Sequence, residues 1–181
     1  MKTVRTLSSN RFFSGRVFNV RRDIVRVSGK ERVFDVVEAP ETVAVLPVLD
    51  DGRILMVQQY RHSVGKSLFE IPGGIVDKGE DPAKAAVREL EEETGYTADK
   101  IEKLLTAFPA PAYSSEQANI YVAKGLNPSS SKNKGDEDEI MVQAFTVQDI
   151  LTMVTDGRVQ DFKTILAVLY YLRTQDSSRR E

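Results

Sequence analysis

The stretch from Asp81 to Gly95, DPAKAAVRELEEETG, leaves the chain little choice of local structure. Asp81 is a good helix N-cap, Pro82 carries the fixed φ that suits a first helical position, and Gly95 is placed to end the helix. Ala83, Ala86, Val87, Leu90 and Thr94 fall at helical spacing and predict a narrow packing stripe. The far end is harder to account for, because Arg88 to Glu93 packs five ionisable side chains into six positions. Carboxylates near a helix C-terminus face the negative end of the macrodipole and each lose ~0.3–1 kcal/mol there. Like charges three or four residues apart add a further cost of ~0.2–0.5 kcal/mol per pair. On a helix Glu89, Glu92 and Glu93 lie within ~100° of arc, on a face distinct from the apolar stripe, while Glu91 points toward solvent.

At ~5 Å and an effective dielectric of ~20, each close pair of these carboxylates repels by roughly 3 kcal/mol before screening, and Arg88 offsets only part of it. Two readings follow. One is a solvated acidic helix end with Arg88 as partner. The other is a patch for divalent cations, where hard oxygen ligands suit Mg²⁺ or Mn²⁺ and a doubly charged ion turns repulsion into attraction. The stretch alone weighs them evenly.

The rest of the chain predicts strands around this helix. Val17–Val27 alternates apolar and polar residues, Ser28-Gly29-Lys30 turns the chain, and Val33–Glu38 continues in β-rich residues. Thr42–Leu49 is a nearly continuous apolar run, expected of a strand buried on both faces. Asp50-Asp51-Gly52 is a turn, and Arg53–Tyr60 is expected to return as the partner of that strand. Ile101–Phe108, Gln117–Ala123 and the run from Ile140 read as further strands. Thr146 or Gln148 opens a short helix to Val154, Asp161 caps a last helix, and the tail from Thr174 is expected to fray. Mixed strands and a few helices, with no repeat or long linker, predict an α/β or α+β sandwich.

Composition narrows the chemistry. The 181 residues carry a net charge of −2, so the whole molecule has no bias toward polyanions. Arg5, Arg11, Arg16, Arg21, Arg22, Arg26 and Arg32 nevertheless crowd the first 32 residues against Asp23 and Glu31. They read as a solvated basic hairpin or, alternatively, as the lining of an anionic substrate site. With no cysteine, disulfides, thiolate nucleophiles and zinc–thiolate sites are excluded. No apolar run suits a secretory signal or a membrane span, so a cytoplasmic protein is the expectation. His62, the one histidine, has no nucleophile turn beside it and reads as an ordinary loop residue. Phe12, Phe13, Phe18 and Phe34 are expected in a core or a dimer interface rather than stacked on a base.

From Gly74 the sequence reads GIVDKGEDPAKAAVRELEEETGY: glycine, five residues, Glu80, seven residues, Arg88-Glu89-Leu90, one residue, Glu92-Glu93, one residue, Gly95, then Tyr96. This resembles the Nudix box at every defining position, with Tyr96 where an aliphatic residue is usual. Resemblance to the ADP-ribose pyrophosphatase branch extends from about Gly15 to Leu172. It is carried by the N-terminal strands, by QQYR (Gln58–Arg61) and EIPGG (Glu70–Gly74), and by Pro111, fifteen residues past Tyr96. PAYSSE (Pro111–Glu116) contributes too, with Ala112 where glycine is common, as does DGRVQDFKTILAVL (Asp156–Leu169).

The resemblance implies a Nudix α/β/α sandwich with a mixed sheet. Residues 1–40 would be an antiparallel β extension, 41–175 the catalytic domain, and 176–181 a flexible tail. It also implies a site. Glu89, Glu92, Glu93 and the carbonyl of Gly73 would hold Mg²⁺, or Mn²⁺ in its place, with Glu80 helping through water. Arg88 would orient the glutamates, and Gly74 and Gly95 would serve backbone freedom. Arg61 is a candidate phosphate contact, Glu116 a sugar-side contact, and Glu38 a base contact often contributed by the partner subunit. A general base or further ligand would come from Asp136–Glu139, with Glu137 and Glu139 chosen. The implied activity is hydrolysis of ADP-ribose or a related nucleoside diphosphate sugar by a homodimer, without nucleic-acid or membrane partners. The alternatives are a nucleoside triphosphate pyrophosphohydrolase, which would usually lack the N-terminal strands, and a non-catalytic nucleotide-sugar sensor, which would tend to lose box glutamates.

Overall fold

A computed structural model of the chain describes residues 4–129 and 140–178. Two compact units emerge: Met1–Glu41 with Ala107–Gln117, and Thr42–Thr106 with Ala118–Glu181.

The first unit is an antiparallel sheet of β1 (Val4–Ser14), β2 (Asn19–Val27) and β3 (Lys30–Glu38), in that order. Ser28 (φ 51°) and Gly29 (φ 80°) form the two-residue turn, with Val27 opposite Lys30. Positive φ at both turn residues matches the right-handed twist of the flanking strands. This register answers the arginine excess. Arg22 stands opposite Asp35 and Arg26 opposite Glu31, with ion pairs of 2.7 and 2.6 Å, while Arg11 and Arg21 both bond Glu38. Four of the seven arginines are thus paired within their own sheet. Strand β1 escapes a reading of alternation because two bulges, at Thr6/Ser8 and Arg11/Phe13, break its period of two. The loop at Tyr113–Ser115 adds a short parallel pairing to β3: the Val37 N–H donates to the Tyr113 carbonyl (2.7 Å) and the Ser115 N–H to the Val37 carbonyl (3.0 Å).

The second unit is layered. Strands β4 (Thr42–Pro47), β5 (Ile54–Arg61), β6 (Lys66–Glu70), β7 (Tyr96–Ala107), β8 (Ala118–Pro128) and β9 (Met141–Phe145) form two sheets, β4-β8-β7 and β6-β5-β9. The helices are α1 (Pro82–Thr94), α2 (Val147–Thr155) and α3 (Phe162–Ser178). Strand β4 is buried on both faces, as its apolar run predicts. Val43 and Val45 pack with Ala85, Ala86 and Leu90 of α1, whereas Ala44 and Leu46 join Ile150, Met153, Ala167 and Val168 of α2 and α3. Helices on both faces of a mixed sheet make the predicted α/β/α sandwich.

The expected hairpin between Thr42–Leu49 and Arg53–Tyr60 does not form as a paired ladder. Strand β4 pairs in parallel with β8, and β5 pairs with β6 and β9; Val48 and Ile54 share only an isolated bridge. Pro47 has no N–H to donate, and the next N–H, of Val48, goes to the carbonyl of Ala123 (2.9 Å). The turn at Gly52 brings the chain around without making the strands neighbours.

Helix α1 begins and ends as predicted. Asp81 accepts the Ala83 N–H (2.8 Å), and Gly95 sits at φ 73° with its N–H on the Glu91 carbonyl (2.9 Å). Its buried face is rotated from the predicted stripe. Ala83 and Val87 are exposed, and Ala85, Ala86, Glu89, Leu90 and Thr94 are buried. Assigning burial by polarity misplaced Glu89, whose carboxylate is covered by the Gly74 loop. Thr146 caps α2 in a reciprocal box with Asp149. Asp161 caps α3, which runs on to Ser178 where fraying was expected from Thr174. Among the described residues no helix is long and apolar enough to cross a membrane.

The Asp35 and Glu38 carboxyls are held below their ordinary values of 3.8 and 4.5, chiefly by hydrogen bonds from Arg22 and Arg11 respectively. A depressed pKa contributes stability that is fully present above the ordinary value and is lost as pH falls through the depressed one. Amide exchange across β1–β3 should therefore be independent of pH-linked opening above about pH 5 and show weakening below about pH 4. The double variant Asp35→Asn, Glu38→Gln should flatten that acid response.

Candidate active site

The geometry is organised by Arg88. Its Nε donates to Glu80 Oε1 (3.1 Å) and its Nη1 to Glu89 Oε1 (2.6 Å) and Glu92 Oε2 (3.1 Å). Its Nη2 donates to the Ile75 carbonyl (3.0 Å) and Glu80 Oε2 (3.1 Å). A guanidinium has five N–H donors, and all five are used here. The hydrogen bonds that Arg88 donates to Glu80, then those to Glu89 and Glu92, hold its pKa far above the usual value. Glu80, which also accepts the Asp77 N–H, is held low by Arg88. The expected orienting role of Arg88 thus has a definite form: one side chain pins three glutamates and the loop before the helix.

Glu93 is held differently. Its Oε2 accepts the Gly73 N–H (3.0 Å), and its Oε1 lies 3.5 Å from Gln59 Nε2. Glu91, expected in solvent, is half-buried and accepts from the Ser129 hydroxyl. Among the described residues, no three acidic or histidine side chains are already gathered as an ion cage. The predicted convergence of three carboxylates is therefore partial: Glu89 and Glu92 meet on Arg88, and Glu93 faces the Gly73 loop. Donor chemistry still fits a hard dication, since every candidate group is oxygen and the four glutamates outnumber the one guanidinium among them. The Gly73 carbonyl accepts from no donor among the described residues.

Gly73 and Gly74 are needed for close approach rather than for unusual backbone angles. A Cβ on Gly73 would lie 2.3 Å from the Val43 carbonyl oxygen, and one on Gly74 2.4 Å from Glu89 Oε1 in a half-buried loop. Backbone freedom, the expected reason for Gly74, applies to Gly95 alone of these.

Arg61 lies at the end of β5 and forms a two-point pair with Glu70, Nε and Nη2 each 2.8 Å from the carboxylate. Glu70 is 2% exposed. Its hydrogen bonds are the main cause of a raised Arg61 pKa, with Glu93 and Asp161 adding at longer range. Sequence reasoning passed over Glu70 and Gln59; a carboxylate in a strand directly before Ile-Pro-Gly-Gly was the available signal. Glu38 and Glu116 lie in the first unit, Glu38 between Arg11 and Arg21, and the Glu116 N–H on the Ser114 hydroxyl (3.1 Å). Glu137 and Glu139 lie outside the described residues. His62 is exposed, with its ring 6.4 Å from that of Tyr60. Phe12, Phe13, Phe18 and Phe34 are exposed on the single chain, so they are not its core.

The NUDIX domain profile matches residues 39–167 of this chain. The chain belongs to the Nudix family. An ADP-ribose pyrophosphatase of Bacillus subtilis is 38% identical over 92% of this chain and 91% of its own. A methanol dehydrogenase activator of Bacillus methanolicus is 37% identical over 98% and 96%. A crystal structure of an ADP compounds hydrolase superposes with a TM-score of 0.87 at 26% identity, covering 99% of this chain and 97% of that one. Nudix hydrolases generally use divalent metal ions, in keeping with the oxygen-rich surroundings of α1.

The two glycines of this Nudix loop should respond differently to an added methyl. Gly73→Ala meets backbone atoms of Val43 and Ala44 that cannot yield, and should lower stability by about 3 kcal/mol. Gly74→Ala meets only the end of the Glu89 side chain. It should keep a near-normal melting temperature while losing divalent-ion activation. Thermal melts and ion titrations of activity on the two variants check both outcomes.

Proposed function

We propose that this Nudix hydrolase cleaves the pyrophosphate of ADP-ribose, or of a related nucleoside diphosphate sugar, to a nucleoside monophosphate and a sugar phosphate. The observation that carries the reading is the clamp of Glu80, Glu89 and Glu92 on Arg88, with Glu93 set beside Gly73. Glu89, Glu92, Glu93 and the Gly73 carbonyl would hold Mg²⁺, with Mn²⁺ as a substitute. Such an ion, when bound, neutralises phosphate charge and makes its water a better nucleophile. Pinning the carboxylates beforehand removes conformational freedom that binding would otherwise have to remove.

In this reading Arg61 contacts a phosphate from its anchor on Glu70, and Glu116 and Glu38 serve the sugar and base ends. Glu38 would act from the partner subunit of a homodimer formed through the N-terminal strands. The exposed Phe12, Phe13, Phe18 and Phe34 support that surface. Glu137 or Glu139 supplies the general base. Cytoplasmic residence, with no membrane or nucleic-acid partner, completes the proposal.

A panel of ADP-ribose, GDP-mannose, UDP-glucose, diadenosine polyphosphates and nucleoside triphosphates, each with Mg²⁺ or chelator, tests it. Metal-dependent cleavage of the nucleotide sugars is expected; cleavage of triphosphates alone would assign the chain to another branch, and no cleavage at all would favour a sensor. Glu93→Gln should lower turnover on the order of 10²-fold or more with the fold intact. Gel filtration at micromolar concentration should give the mass of a dimer.

A further inference from the structure

The run DFKT (Asp161–Thr164) opens α3, far in sequence from the box, and nothing above gives it a chemical task. Thr164 is fully buried. Its hydroxyl donates to Asp161 Oδ2 (2.7 Å) and accepts the Ile71 N–H (2.9 Å). A hydroxyl has a single proton. Because an ionised carboxylate can only accept, that proton is committed to Asp161, and the oxygen lone pairs are left for Ile71. Asp161 is itself fixed, by the Thr164 N–H on Oδ2 (2.9 Å) and by Lys163 Nζ on Oδ1 (2.8 Å).

Ile71 stands two residues before Gly73. The intervening segment is pinned at every step: Glu70 by Arg61, the Pro72 carbonyl by the Val45 N–H (2.8 Å), the Gly73 N–H by Glu93 (3.0 Å), and Gly74 by Val43 through both its N–H (3.1 Å) and its carbonyl (2.9 Å). Val45 and Val43 hold the loop from β4 and Glu93 holds it from α1. Thr164 is the tie from α3.

We propose that Thr164, oriented by Asp161, is a positioning residue that sets the Gly73 carbonyl for a divalent cation. This rests on the reading of Gly73, Glu89, Glu92 and Glu93 as the metal site. The anchor acts through the backbone of Ile71 and Pro72 and touches neither ion nor substrate. A carbonyl ligand cannot be tuned by changing its own side chain, so its aim depends on what holds the neighbouring peptides, and losing such support typically weakens metal binding about 10–100-fold.

The test uses the full-length protein and compares Thr164→Val, which keeps the shape and removes the hydroxyl, with Thr164→Ser, which keeps the hydroxyl. Mn²⁺ binding is read without substrate from the loss of the free-ion EPR signal, and Mg²⁺ activation is read on ADP-ribose. Thr164→Val should weaken Mn²⁺ binding about tenfold and raise the Mg²⁺ requirement in step, with kcat at saturating Mg²⁺ little changed; Thr164→Ser should bind Mn²⁺ as the parent does. A Thr164→Val protein that melts earlier but binds Mn²⁺ like the parent overturns the positioning role. If Thr164→Val does not fold, Asp161→Asn, which retains a good cap, should weaken Mn²⁺ binding about two- to threefold, and unchanged binding again overturns it. Glu93→Gln separates the two ideas. Loss of Mn²⁺ in that variant upholds the site, whereas binding equal to the parent removes the site and this proposal together.

Discussion

One arginine makes the acidic end of α1 tolerable. Glu89 and Glu92 repel one another and face the negative end of their own helix, yet Arg88 binds both and reaches Glu80 on the preceding loop. The interaction is more than neutralisation, because the planar fork sets directions as well as charge. By tying the Ile75 carbonyl to the same guanidinium, it also fixes the loop entering the helix. Lysine could offset the charge but could not hold five acceptors in one plane-determined pattern.

The clamp has meaning only because the loop it faces is itself immobile. That loop, Ile71–Gly74, lies against the doubly covered strand β4, where Val43 and Val45 supply its backbone partners. The approach to β4 is so close that Gly73 leaves no room for a methyl group, while Gly74 faces the Glu89 carboxylate. Strand β4 is held in turn by apolar side chains on both faces, with α1 on one side and α2 and α3 on the other. The polar site is therefore built directly on the most buried strand, where interiors packed like organic crystals allow little drift. The pair of the buried Glu70 with the partly exposed Arg61 belongs to the same frame. Breaking it by removing one partner would leave an uncompensated charge, so loss of activity on truncating Arg61 would mix lost structure with lost contact.

Some of this was legible in the residues. Asp81, Pro82 and Gly95 bound α1 through effects that act within one turn of the chain. The unbroken apolar run of β4 announced a strand covered on both sides. The turn at Ser28-Gly29 and the caps at Thr146 and Asp161 are likewise local. What went unread was of another kind. Bulges hid β1 by interrupting its alternation, and β4 pairs with β8, distant in sequence, rather than with the neighbouring β5. Glu89 lies buried although charge normally avoids the interior, so polarity did not reveal its burial.

By itself the sequence determined where α1 begins and ends, which strands are apolar, and that an acidic cluster follows the Gly73-Gly74 loop, because capping, periodicity and spacing are properties of neighbouring residues. Only the tertiary structure decided which donor each carboxylate meets. Glu93 against the Gly73 N–H, Glu70 on Arg61 and Ile71 on Thr164 join residues 20, 9 and 93 positions apart. Such pairings depend on how whole elements stack around β4, and that stacking is set by the collective burial of side chains rather than by any short run of the chain.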